Sequence, residues 1–156
     1  MTTKPPQRGL GYQVSEGYFD ALGGRACFER VHKILYDKLL SHLWLKGFFA
    51  GNKRAHLENQ QTDFMSGLLG GPRIYGGRNP RGAHYHLFVA KEIFQIRHRL
   101  LGESLAEAGV PVRLRDRWLK LDAGFEAALV KQSPDECHGR YKTEPVIVVP
   151  KPGGGG

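Results

Sequence analysis

The sequence predicts an all-α fold, and three observations carry that expectation. Apolar residues recur at spacings of three and four through most of the chain, the period of helices with one buried face. Glycine and proline clusters at Gly23-Gly24, Gly70-Gly71-Pro72 and Gly109-Val110-Pro111 cut that pattern into helix-length pieces. Asn79-Pro80 has the order of a helix start, a good N-cap followed by a good first helical residue. Five or six helices and no sheet are expected.

Residues 1–14 are rich in proline, glycine and glutamine and read as a disordered lead-in. Ser15 is placed to cap a short helix carrying Tyr18, Phe19 and Leu22, which Gly23-Gly24 stops. The next helix runs from about Arg25 to Leu40, with Phe28, Val31, Leu35 and Leu39 on one face. A short aromatic segment follows, Leu43, Trp44, Leu45, Phe48 and Phe49, ended by Gly51. Another helix spans roughly Lys53 to Leu69, with a stripe of Leu57, Gln61, Phe64, Met65 and Leu68. A glycine-rich loop then leads to Asn79 and a short helix carrying His84. A longer helix from about Ala90 to Ala108 buries Ile93, Ile96, Leu100 and Leu101. The last, from about Val112 to Val130, buries Leu114, Trp118, Leu121, Phe125 and Leu129. From Ser133 onward the chain is punctuated by proline and closes on four glycines. Its stretch 145–150 reads as an edge strand, a docking segment or a mobile tail, and the mobile tail is the expectation.

A chain of 156 residues fits one domain with tails, here a lead-in 1–14, a helical domain 15–131 and a tail 132–156. A domain of that size buries roughly two-thirds of its unfolded surface and needs no disulfide framework, and apolar residues at 40% with charged residues at 24% are ordinary for a water-soluble fold. Cys27 and Cys137 stand far apart and outside any metal-type spacing. The first residues lack the apolar stretch of a signal peptide, and no run is long enough to cross a bilayer. A cytoplasmic location is the expectation. The net charge of +8 admits nucleic acid or an anionic membrane as partner. However, the cations are scattered, and even the densest stretch, Arg113 to Lys120, contains Asp116. A solvated basic surface with neither partner is expected; a basic helical nucleic-acid-binding module is the alternative.

Function should show where an apolar stripe is interrupted by a polar group. At about 100° per residue, Gln61 falls inside the arc of Leu57, Phe64 and Leu68. Tyr36 flanks the stripe Phe28–Val31–Leu35–Leu39, so its ring can be buried while its hydroxyl seeks a partner. Arg97 sits within the stripe of Ile93, Leu100 and Leu101, where it either snorkels outward or pairs with an anion. Each has a bland reading as a satisfied boundary residue. Together they describe an apolar cavity with two neutral polar groups and a cation at its edge. His84-Tyr85-His86 invites a metal reading, but on a helix residues two apart point about 200° apart, and no cysteine or carboxylate cluster completes a zinc site. One histidine alone suits a haem iron, because a porphyrin supplies four ligands itself.

The motifs Tyr18-Phe19-Asp20-Ala21-Leu22-Gly23-Gly24, Leu35-Tyr36 and Gly47-Phe48-Phe49-Ala50-Gly51 resemble those of truncated haemoglobins. So do Leu68-Leu69-Gly70-Gly71-Pro72 with Tyr75, Gly82-Ala83-His84, and the helix break at Gly109-Val110-Pro111, in the family's order over roughly residues 15–130. The helix carrying Arg97 has no Trp in its distal-side part, which points to group I. The resemblance implies a two-over-two helical sandwich around haem b, with His84 as proximal iron ligand and Phe49 stacked on the porphyrin. It puts Tyr36 facing bound gas and Leu57 where many globins carry a distal His. Gln61, helped by Gln60, takes over that donor's role, and Phe64 and Tyr75 join the cofactor-binding set. Arg97 stands where small or apolar residues are usual in group I, and is read as a partner for a haem propionate. The implied function is O2 binding or transport at a five-coordinate iron, with NO and CO as further ligands, in a monomer or weak dimer. Turnover as a nitric oxide dioxygenase or peroxidase would add a reductase as electron donor. The C-terminal extension lies outside the family pattern.

Overall fold

The computed structural model describes residues 17–153; the lead-in 1–14 and the cap expected at Ser15 lie outside the described residues. Seven α-helices are described: α1 (Tyr18–Ala21), α2 (Arg25–Ser41), α3 (Arg54–Leu68), α4 (Pro80–Ala83), α5 (Lys91–Glu107), α6 (Val112–Ala123) and α7 (Glu126–Leu129). Two 3-10 turns, Leu45–Phe49 and Pro134–Glu136, join them. α2 packs on α3 and on α5, and α5 packs on α6, which is the expected sandwich of helix pairs. Its centre is apolar: Phe28, Val31 and Leu35 of α2 meet Leu105 of α5 and Trp118 of α6, with Phe28 and Trp118 ring centroids 4.8 Å apart.

The helix ends follow from the sequence. After α5, Gly109 takes φ +81°, a left-handed conformation that glycine adopts without a Cβ penalty. The Val110 N–H then reaches the Leu105 carbonyl at 3.0 Å and the Gly109 N–H the Ala106 carbonyl at 3.0 Å. These are the two bonds of a Schellman motif, and both Val110 and Leu105 are buried beneath it. Gly70 ends α3 in the same way, with the Gly71 N–H on the Ser66 carbonyl at 2.7 Å. At α4, Asn79 Oδ1 accepts from the Gly82 N–H at 2.7 Å, with Pro80 in the first helical position as expected.

Several expectations need correction. The last helix is not continuous: it breaks at Gly124, whose low helix propensity lets the chain turn into α7. His84 is not inside its short helix but caps it, one residue past Ala83. Ile96 and Phe125 are half-buried rather than buried. On α3 the fully buried face is Thr62, Met65, Ser66 and Gly67, while Leu57, Gln61, Phe64 and Leu68 are half-exposed. The tail is not mobile in the structure but docked. Ile147 forms an isolated parallel bridge with Leu87, and the Trp44 indole Nε1–H donates to the Val149 carbonyl at 2.9 Å. An indole donor and unpaired backbone groups at 86–88 give the tail partners that its composition does not reveal.

Candidate functional site

The half-exposed side of α3 faces a cavity of about 480 Å³, within the range of about 300–1,000 Å³ typical of ligand sites. Tyr36, Phe49, Leu57, Gln60, Gln61, Phe64, Tyr75, His84 and Arg97, all singled out in the sequence, line this one cavity. α2 contributes Tyr36, the first 3-10 turn Phe49, α3 the residues from Leu57 to Phe64, and the end of α4 His84.

His84 Nδ1 lies 2.7 Å from the Pro80 carbonyl oxygen. A carbonyl can only accept, so Nδ1 carries the proton and Nε2 keeps its lone pair. Burial drives the His84 pKa down to about 4, with the charges of Arg97 and Lys131 adding to it against the Pro80 hydrogen bond. The imidazole is therefore neutral near pH 7. A neutral ring oriented by a backbone acceptor is the form that ligates a metal. His86 also lines the cavity, because the chain leaves helical geometry at His84. Among the described residues no three His, Cys, Asp or Glu side chains gather as a metal site.

The remaining walls suit a flat aromatic guest. Tyr36 and Phe49 meet edge to face with centroids 5.7 Å apart, and Phe64 meets Tyr75 at 5.2 Å and Phe125 at 5.8 Å. Burial pushes the Tyr36 pKa up to about 12, so its hydroxyl stays protonated and able to donate. The Tyr75 hydroxyl is already engaged, donating to the Arg78 carbonyl at 2.6 Å, so Tyr75 shapes the loop. One neutral imidazole, apolar and aromatic walls and a protonated phenol together fit a haem.

Arg97 is held by a residue that the sequence reading passed over. Its Nη2 lies 2.7 and 2.6 Å from the two Asp122 oxygens, and His98 Nδ1 is 2.7 Å from Oδ2. Asp122 is 2% exposed. Burial raises its pKa, but Arg97 and the His98 hydrogen bond outweigh that and hold the carboxyl below its ordinary value. The cation expected to meet a propionate thus has a protein carboxylate as its partner. The available signal was the position of Asp122, four residues after Trp118 on the same apolar stripe. Arg78, Arg140 and His56 also line the cavity and were not anticipated.

A shortened helical sandwich around an apolar cavity with one oriented, neutral histidine defines the globin class. Residues 17–130 match the family described as bacterial-like globin, and the chain belongs to that family. Among its relatives is a group 1 truncated haemoglobin from Tetrahymena thermophila, 29% identical over 122 residues, 78% of this chain and 94% of that protein. Another, from Tetrahymena pyriformis, is 34% identical over 59% of this chain and 76% of its own length. The solved ferric structure of truncated haemoglobin from T. pyriformis superposes with a TM-score of 0.67 at 28% identity, covering 74% of this chain and 98% of that one. A group II truncated haemoglobin from Bacillus anthracis shares the fold, with a TM-score of 0.69 at 21% identity over 77% of this chain and 94% of its own. Family membership supports haem-based gas binding. The nucleic-acid alternative gains no support, since many cations pair with carboxylates, as in Arg25–Asp63, Arg54–Asp37 and Lys38–Glu107.

Proposed function

We propose that the chain holds haem b through His84 and binds O2 reversibly at a five-coordinate iron. The observation that carries this reading is His84 itself: a neutral imidazole, its Nδ1 proton given to Pro80, lining the same cavity as a protonated Tyr36. When bound, the group supplies an iron that takes up diatomic gases. The chain's own residues do the rest. Phe49, Phe64 and Leu57 pack the cofactor and exclude water, and Tyr36 and Gln61, with Gln60 beside it, offer hydrogen bonds to a gas molecule in the cavity. Each such bond to a charged acceptor is worth about 1.5–3 kcal/mol, roughly 10- to 150-fold in release.

NO and CO are further ligands on the same chemistry. Turnover of NO or peroxide requires electrons from a reductase and makes the protein an enzyme rather than a carrier. The two free thiols, Cys27 and Cys137, suit a reducing, cytoplasmic setting.

The test is the visible absorption spectrum of the purified chain, where haem gives a strong band near the blue edge. His84→Ala should lose most of that band, since the one strong protein–iron bond is gone, and His86→Ala should retain it. A His84→Ala chain that keeps haem while His86→Ala loses it overturns the ligand assignment.

A further inference from the structure

We infer that the chain beyond the globin domain, residues 131–151, is a clamp that positions His84 for the cofactor. This rests on the proposed function, and it concerns residues outside the stretch 17–130 that the family match covers. α4 is four residues long, and so short a helix does not hold itself, because nucleation is unfavourable without tertiary partners. His84 lies just past its end. The four carbonyls from His84 to Leu87 are all taken by donors from beyond Val130. Lys131 Nζ donates to the carbonyls of His84 and Leu87, each at 2.7 Å. The His138 N–H donates to Tyr85 at 2.9 Å and the Ile147 N–H to His86 at 2.7 Å, while the Phe88 N–H returns a bond to Ile147 at 3.0 Å. The Tyr85 and His138 rings also pack at a 34° tilt, with centroids 4.3 Å apart.

The other end of the segment is anchored near the first 3-10 turn and the start of α5. The Val149 carbonyl accepts from Trp44, and Lys151 pairs with Glu92 at 2.8 Å. Val149 lies tight against Gly47, where an added Cβ would come within 2.8 Å of its Cγ1. Gly47 belongs to the 3-10 turn that carries Phe49, so the clamp ties the His84 segment to the segment of the aromatic wall. Between its two anchors, Arg140 reaches the cavity with its guanidinium braced on the buried Glu144 carboxylate.

The experiment uses the full chain with Ile147→Pro, which removes the N–H given to His86, and Trp44→Phe, a milder change that removes the donor to Val149 and trims the ring beneath Lys151. Three readouts are taken: haem transfer to an acceptor globin, the iron–histidine stretching line, and amide exchange at residues 84–88 in the haem-free chain. Loss of an outer-shell support weakens metal retention on the order of 10–100-fold. Ile147→Pro should therefore release haem at least about ten-fold faster, shift the iron–histidine line and lose amide protection at 84–88. Trp44→Phe should move all three in the same direction by less, and it stands in if the proline variant does not fold. Unchanged transfer and an unmoved line overturn the inference. Faster transfer matched only by a lower unfolding midpoint, with the line unmoved, overturns it too, since the tail is then a stabiliser alone. A full-length chain that takes up no haem overturns the proposed function and this inference together.

Discussion

Tyr36 and Leu57 line the same cavity, one with a hydroxyl that can donate and the other with an apolar side chain. Tyr36 is 7% exposed, its ring packs on Phe49 and its hydroxyl keeps its proton. Tyr36→Phe preserves the ring and removes only the donor. O2 release should then quicken by about 10- to 150-fold, the range for one charge-assisted hydrogen bond. CO carries little charge on its outer atom, so its release should change far less. Stopped-flow release of both gases checks this, and equal effects on the two would mean that the hydroxyl does not touch bound O2. Gln61→Leu should act in the same direction and less than additively with Tyr36→Phe if the two side chains share the ligand.

At the scale of elements, α4 shows how little local structure stands behind the residue assigned to iron. Its one side-chain cap is Asn79 on the Gly82 N–H. Asn79→Ala should cost about 0.5–2 kcal/mol of stability, measurable as a lower denaturant midpoint, and Asn79→Gly only a few tenths. The long helices were legible because their apolar stripes and their closing glycines agree; α2 and α5 each begin and end within a residue or so of the expected position. The stripe on α3 was legible as a cavity wall only through Gln61 and the family resemblance, because a face that packs on a core and a face that lines a cavity otherwise have the same composition. Tyr36, Gln61 and Arg97 could be found because they break such stripes. Asp122 was harder to find, since a carboxylate on a basic helix that also carries Asp116 reads as solvated until its partner on α5 is known. In the tail, Ile147 and Val149 are half-buried while Val146 and Val148 are exposed. That alternation is hidden when all four residues are apolar.

For the molecule as a whole, buried histidines set the response to acid. His32 of α2 is fully buried, with Nδ1 2.7 Å from Thr62 Oγ1, and burial drives its pKa down to about 3; His84 falls to about 4. In the unfolded chain both take up a proton near the ordinary value of about 6.5. The stability they contribute is therefore complete above about pH 6.5 and is lost as the pH falls towards the folded values, since the unfolded state then binds more protons. Asp122, held low, adds a further loss only below the ordinary carboxylate range. The haem-free protein should lose about 1.4 kcal/mol per pH unit for each histidine between about pH 6 and pH 5. His86, which burial also holds below its ordinary value, adds to the slope, so His32→Gln should remove less than half of it in urea titrations. A slope unchanged by His32→Gln would mean that His32 is not the group being protonated.

The docked tail also has a consequence in time. A ribosome makes Lys131 and the residues after it only when the whole of the helical sandwich has been made, and domains fold as they emerge. Until then the carbonyls from His84 to Leu87 have no donors from that segment. The nascent globin domain thus passes through an interval in which the segment after α4 lacks the hydrogen bonds that Lys131, His138 and Ile147 give it. Haem offered during that interval and haem offered to the finished chain should therefore meet a His84 segment held to different degrees.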